Sequence, residues 1–179
     1  ENALFESQVE FGHLKNIRFM HGDVRDYERL ERSFEDIDIV FHAAAMKHVP
    51  ICEYDPSEAV KTNVIGTENV IKAAVKQKVS KVITISTDKA VNPTTTMGTT
   101  KLMAEKITID GNNYASSHDA AFSCVRFGNV IASRGSVIPL FKNQIERGGP
   151  LTITDKNMTR FFMSISDAVN LVIKSSEIF

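Results

Sequence analysis

Tryptophan is absent from this sequence, and cysteine occurs only twice, as Cys52 and Cys124. Two thiols set far apart in apolar segments exclude a disulfide-stapled scaffold and read as buried, reduced side chains. No apolar run is long enough to cross a bilayer, and no signal peptide is visible. Lys and Arg number 21 against 22 Asp and Glu, a net charge of −1. That balance excludes the broad basic surface of a non-specific nucleic-acid binder, although a few local cations can still hold an anion. Repeats, low-complexity tracts and evident linkers are also lacking. So is any Gly-x-Gly-x-x-Gly or Gly-x-x-Gly-x-x-Gly turn leading into a helix, which excludes a phosphate-binding turn of that type within these residues.

What is present is organised around residues Lys81 to Lys106. Val82 to Ile85 form a β-branched run that reads as a buried parallel strand. The strand ends in four polar residues, Ser86, Thr87, Asp88 and Lys89, and a breaker follows at Asn92-Pro93. A helix then opens near Met97, which places Met97 and Lys101 on one face. In an open α/β sheet, ligands bind beyond the carboxyl ends of the strands. An adjacent acid and amine at that edge, facing a lysine on the next helix, read as a reaction site.

The flanking segments alternate between strand and helix signals. Ile17–Met20 reads as a strand leading to Gly22-Asp23-Val24-Arg25-Asp26, with Asp26 as the cap of a helix over Tyr27–Phe34. Asp38 to Ala45 reads as a strand with an exit of three alanines, small enough for the backbone to approach a ligand. Asp55-Pro56-Ser57-Glu58 is a helix start with an Asp cap, and the helix runs to about Lys78 with Asn63 inside it. The helix from Thr99 is expected to turn Leu102, Met103 and Ile107 inward and to end near Gly111. Ala121 to Val130 reads as a further strand. A helix over Ile138–Arg147, a turn at Gly148-Gly149-Pro150, a strand over Leu151–Thr154 and a last helix carrying Ile165, Ala168, Val169, Val172 and Ile173 follow.

Ser-Thr-Asp-Lys, the Met-Gly-Thr-Thr-Lys helix start and Phe41-His-Ala-Ala-Ala-Met-Lys-His-Val-Pro50 together resemble the extended short-chain dehydrogenase/reductases. The similarity is greatest to the branch of nucleotide-sugar 4,6-dehydratases acting on UDP-N-acetylglucosamine, found in bacterial capsule, flagellin-glycan and lipopolysaccharide synthesis. It runs from about Ile17 to the last residue, with several motifs in the family's order. The resemblance implies a Rossmann-like, doubly wound parallel α/β sheet over residues 1–130 and part of a smaller substrate lobe over residues 131–179. Its first strand, first helix and second strand, and some of the C-terminal side, are expected to belong to a longer protein. It implies a cytoplasmic enzyme, with tethering by upstream membrane helices left open, that forms dimers or hexamers.

The resemblance also implies site residues. Asp23 and Val24 would lie beside the adenine of NAD or NADP, between which these residues do not discriminate. Ala43, Ala44 and Ala45 would pass the ribose and pyrophosphate. Asn63 would support the active-site lysine, and Lys101 would hold the nicotinamide ribose. Lys47, Asn129, Ser136, Val137 and Phe141 would contact the nucleotide sugar, and Arg160 would pair with the UDP phosphates. Thr87 would donate to the sugar's 4-hydroxyl, Lys89 would take the C5 proton, and Asp88, its pKa raised, would protonate the departing 6-hydroxyl. Met97 departs from the superfamily, which mostly places a tyrosine base there. A thioether moves no proton, so the base for the 4-hydroxyl is open, with Asp88 the first candidate. A C4 epimerase and a catalytically silent cofactor-binding module are the rival readings. His48, also on the loop after the alanines, is assigned no chemistry.

Overall fold

The computed structural model describes residues 2–115, 119–131 and 137–178. Helices α1 (Asn2–Phe11) and α2 (Tyr27–Ser33) come first. Asp26 caps α2 as expected, its side chain accepting from the Arg29 N–H at 3.0 Å. Strand β1 (Ile39–His42) is followed by α3 (Val49–Tyr54), α4 (Pro56–Ala59), a π-helical turn at Val60–Ile65 and α5 (Gly66–Lys76). Strand β2 (Lys81–Thr87) ends in a 3-10 turn, Asp88–Ala90, and leads to α6 (Thr96–Tyr114). Strands β3 (Ala121–Phe127) and β4 (Asn129–Val130), helix α7 (Val137–Glu146), strand β5 (Phe162–Met163) and helix α8 (Ile165–Ile178) complete the described chain.

Strands β1, β2 and β3 form one parallel sheet in that order, with Val40 opposite Val82 and Val82 opposite Phe122. Helices α5 and α6 cover one face, where Val70, Ile71, Ala74, Val79, Val82, Ala115 and Phe122 make the core. Helix α8 packs against β2 and β3 and meets Phe41, Ile85 and Phe127 around an apolar gap of about 300 Å³. Parallel strands buried this way need continuous apolar runs, and Val82 to Ile85 is one. β4 and β5 pair separately, just beyond the end of β3.

Several expectations are corrected. Ile17–Met20 is not a strand, because a strand exists by pairing and the described chain offers it no neighbour. Leu151–Thr154 is likewise unpaired and irregular. Asp55 precedes α4, but its side chain makes no capping bond. The long helix after it is broken by the π turn. Asn63 lies in that turn, fully buried, with Oδ1 accepting from Met46 N at 2.7 Å and Nδ2 donating to Met46 O and Thr100 Oγ1, each at 3.0 Å. Helix α6 turns Met97, Thr100, Lys101, Ala104, Glu105 and Thr108 inward, while Met103 is exposed. That polar face is tolerated because the sheet answers it. Thr108 and Thr84 share a hydroxyl bond of 2.8 Å, and Glu105 receives Arg126.

Candidate active site

The carboxyl ends of β1, β2 and β3 open into a cleft of about 510 Å³. Ala43 and Ala45 from the exit of β1 line it, with Met46, Lys47 and His48 beyond. β2 contributes Ser86, Thr87 and Lys89, α6 contributes Met97 and Lys101, and β4 contributes Asn129. Val137 and Ile138 at the start of α7 close the far side.

The 3-10 turn after β2 joins its polar side chains. Thr87 Oγ1 donates to Asp88 Oδ1 at 2.9 Å, and Lys89 Nζ donates to the same oxygen at 3.0 Å. Lys89 Nζ also reaches Asn129 Oδ1 at 3.4 Å, which ties the end of β2 to β4. Partial burial raises the Asp88 pKa, but the bonds from Lys89 and Thr87 outweigh it and hold the carboxyl below its usual range. This corrects the expectation of a raised Asp88, because the pair is an ion pair here. Gly98 makes the arrangement possible, since a Cβ there would lie 2.4 Å from the Lys89 carbonyl oxygen. Thr95 caps α6 at Gly98 N, and Glu53 of α3 accepts from Thr96 N at 2.6 Å and Thr96 Oγ1 at 2.9 Å. The Glu53 bonds tie α3, which follows the loop carrying Lys47, to the first turn of α6.

Lys101 is 7% exposed and donates to the Ile85 carbonyl oxygen at 2.6 Å. Met97 is packed against Cys52, Ala59, Met46 and Val49 and presents only a thioether to the cleft. On the other side of the Asp88–Lys89 pair lies a second recess of about 370 Å³, lined by Asp88, Lys89, Thr159, Arg160 and Phe161. Lys89 borders both spaces. Arg160 makes no ion pair among the described residues, and its guanidinium donates to Thr159 O at 2.7 Å.

The structure thus brings together Thr87, Lys89, Met97, Lys101, Lys47, Asn129, Ala43, Ala45 and Val137 around one cleft, with Asp88 and Arg160 behind it. Ala44 is exposed on the same strand exit. Phe141 lies on α7 outside the cleft lining, and Ser136 falls outside the described residues. Asn63 supports the cleft wall at Met46 rather than facing a ligand. Asp23 is held by Arg25, whose guanidinium and backbone N–H pull its pKa down to about 2, and Val24 packs against the core. Sequence reasoning missed His42 and the Glu105–Arg126 pair. His42 is buried, with Nε2 3.0 Å from Thr67 Oγ1, and burial followed by the charge of Lys101 pushes it down to about 4. The spacing of Glu105, one helical turn after Lys101, is the signal that points to it.

A parallel sheet wound by helices, with an acid–amine pair and a buried lysine beyond its strand ends, defines a ligand-binding α/β domain of the Rossmann type. The chain belongs to the polysaccharide biosynthesis protein family, whose family model matches residues 1–179, and it has the fold of the extended short-chain dehydrogenase/reductases. It is 60% identical to an uncharacterized membrane protein of Methanocaldococcus jannaschii, over 98% of this chain and 52% of that protein. It is 52% identical to a UDP-glucose 4-epimerase of Rickettsia canadensis, over 90% of this chain and 47% of the other. The chain therefore spans about half the length of the curated relatives it matches. Among solved structures, Pen from Bacillus thuringiensis superposes with a TM-score of 0.94 at 49% identity, covering 98% of this chain and 56% of that one. The dTDP-glucose 4,6-dehydratase DesIV from Streptomyces venezuelae shares the fold, with a TM-score of 0.83 at 22% identity over 94% of this chain and 57% of its own. Among the described residues no helix is long and apolar enough to cross a membrane.

Proposed function

We propose that this chain is part of a nicotinamide-dependent nucleotide-sugar 4,6-dehydratase that removes water from UDP-N-acetylglucosamine or a similar UDP-sugar. Residues 1–130 would form part of its dinucleotide-binding domain and residues 131–179 part of its substrate lobe. The observation that carries the reading is the Asp88–Lys89 pair, joined at 3.0 Å at the mouth of a cleft where position 97 holds a thioether. Elimination needs a base at one sugar carbon and an acid at the neighbouring oxygen. At rest Asp88 is ionised and Thr87 donates to it, so the proton of a sugar 4-hydroxyl resting on Thr87 can pass through Thr87 to Asp88, which thereby becomes the acid for the departing 6-hydroxyl. Lys89, having released its own proton to solvent, takes the C5 proton. Asn129 and Lys47 border the space for the sugar, and Arg160 faces the second recess with its charge uncompensated by any carboxylate among the described residues.

The residues present fit the ribose and nicotinamide end of a dinucleotide. Lys101 offers a buried ammonium, and the alanine exit of β1 exposes backbone to a ligand. A bound NAD or NADP supplies reversible hydride acceptance. The pyrophosphate cradle is not among these residues, since no glycine turn of the usual type occurs. At the adenine end Asp23 would first have to release Arg25.

The names of the Rickettsia relatives favour a second reading, UDP-sugar 4-epimerase. Met97 counts against it, because epimerisation at C4 relies more directly on a side-chain base at that position. The test incubates the protein expressed from its complete reading frame with UDP-N-acetylglucosamine and NAD or NADP. A sugar that has lost one water supports the dehydratase, a C4 epimer supports the second reading, and an unchanged sugar overturns both.

A further inference from the structure

We infer that Glu105 is a positioning residue for Lys101: its carboxylate keeps the buried amine charged at the floor of the cleft, while the Arg126 clamp keeps that carboxylate from pairing with the amine directly. The inference deepens the proposed function, in which Lys101 holds the cofactor's ribose. Lys101 and Glu105 are one helical turn apart on the inner face of α6, each 7% exposed. An ammonium so enclosed is costly without a compensating charge. Among the described residues, the oxygen within hydrogen-bond reach of Lys101 Nζ is the Ile85 carbonyl at 2.6 Å, a dipole and not a charge.

The charged groups on the elements packed around the amine bear on this, and Lys47 and His48 border the same cleft. On β3, Arg126 grips Glu105 in a fork, Nε to Oε1 at 2.9 Å and Nη2 to Oε2 at 2.6 Å. That grip commits both carboxylate oxygens and leaves the amine unpaired, available to a hydroxyl in the cleft. Cys124 on β3 is a thiol, pushed up to about 11 by burial, and so carries no charge near neutrality. On β1, His42 is held neutral by burial and by Lys101 itself. Asp88 and Lys89 offset one another on the turn after β2, Glu53 of α3 is committed to Thr96, and Glu68 pairs with Lys72 on α5. On the π turn and α4, Lys61 pairs with Glu58. Glu105 is thus the standing anion beside Lys101. Burial lowers the pKa of Lys101, while the charges of Cys124, when ionised, and of Glu105 raise it.

If the charge is what matters, two neighbours of opposite sign must act in opposite directions. Removing the carboxylate leaves two cations side by side, and Lys101 then deprotonates more easily. Removing the guanidinium leaves the full anion facing Lys101, which then deprotonates less easily. A merely structural salt bridge has no such sign. The experiment follows the side-chain Cε resonance of Lys101 against pH in the complete protein carrying 13C-lysine, assigned with Lys101→Arg. The expected result is a midpoint moved to lower pH in Glu105→Gln, to higher pH in Arg126→Gln, and close to wild type in the double variant. Midpoints unmoved in both single variants overturn the inference. Should Glu105→Gln fail to fold, Arg126→Gln decides alone: an upward move supports the inference and an unmoved midpoint overturns it. Turnover gives a second readout, because Glu105→Gln should lose roughly tenfold at the alkaline end of the pH profile and little near neutrality. Moved midpoints without dehydration sink the functional reading and leave this inference standing. Dehydration with unmoved midpoints does the reverse.

Discussion

Asp88 and Lys89 are adjacent in sequence, yet they face different spaces. Lys89 borders the main cleft and the second recess, whereas Asp88 borders only the latter and reaches the cleft through Thr87. Asp88→Asn and Lys89→Gln should each lower dehydration by at least a hundredfold, read as kcat on UDP-N-acetylglucosamine with the complete protein. Thr87→Val should fall between them and wild type, since it breaks the link to Asp88 and keeps the carboxylate. His42 makes a prediction about pH. Its folded pKa, about 4, lies below the ordinary value of 6.5. A group depressed in this way adds stability above its unfolded pKa and loses it as pH falls toward the folded one. Between pH 7 and 4.5 the wild type should therefore lose roughly 2–3 kcal/mol more than His42→Gln, measured by urea unfolding at both pH values. The paired carboxylates add little in that window. Asp88 and Glu105 are both held below their usual range, Glu105 by Arg126 against the raising effect of burial, and Asp23 titrates near 2.

At the scale of elements, the site depends on how closely the start of α6 approaches the turn after β2. Gly98 allows that approach, and Gly98→Ala must displace the Lys89 backbone or the helix, because the added carbon meets a carbonyl oxygen rather than a yielding side chain. The expected outcome is a fall in thermal stability worth about 2 kcal/mol together with loss of dehydration, whereas Thr99→Ala, one residue on and exposed, should change neither strongly. Asn63→Ala should cost about 2–4 kcal/mol by denaturant unfolding, because it leaves the Met46 N–H and carbonyl without their partner. Much of this was legible beforehand. Val82 to Ile85 announced a buried strand and Asp26 announced a cap, whereas the helix expected to run unbroken to Lys78 gave no sign of the π turn at Asn63. The inner face of α6 was not legible. Apolar periodicity pointed to Leu102, Met103 and Ile107, of which Ile107 packs against the core, while the buried face adds to Met97 and Ala104 threonines, a lysine and a glutamate, several of whose partners sit on strands. Ile17–Met20 failed for a related reason, since its composition suits a strand and pairing depends on what lies beside it.

For the molecule as a whole, the described chain stops short of closing its own surface. Ile39 and Phe41 on β1 are 41% and 45% exposed, and β1 has no pairing neighbour on its outer edge among the described residues. On the same side of the molecule as Phe41, the gap under α8 is lined only by apolar side chains. Val169 and Ile173 of α8 and Phe162 of β5 are about half exposed. An open strand edge with apolar side chains beside it is a template for association. The cleft, by contrast, has its polar groups in place, so ligand chemistry and surface closure are separable properties of this sequence. The polypeptide of residues 1–179 expressed alone should fold its three-stranded sheet, yet self-associate and bind an anilinonaphthalene dye. It should turn over no UDP-N-acetylglucosamine, because its sequence holds no glycine turn for the dinucleotide phosphates. The complete reading frame should be less prone to associate and bind less dye per molecule. Sedimentation and dye fluorescence on the two polypeptides at equal concentration check this. A monomeric, dye-silent and active 179-residue chain would show that these residues close their own edge and bind the cofactor by another route.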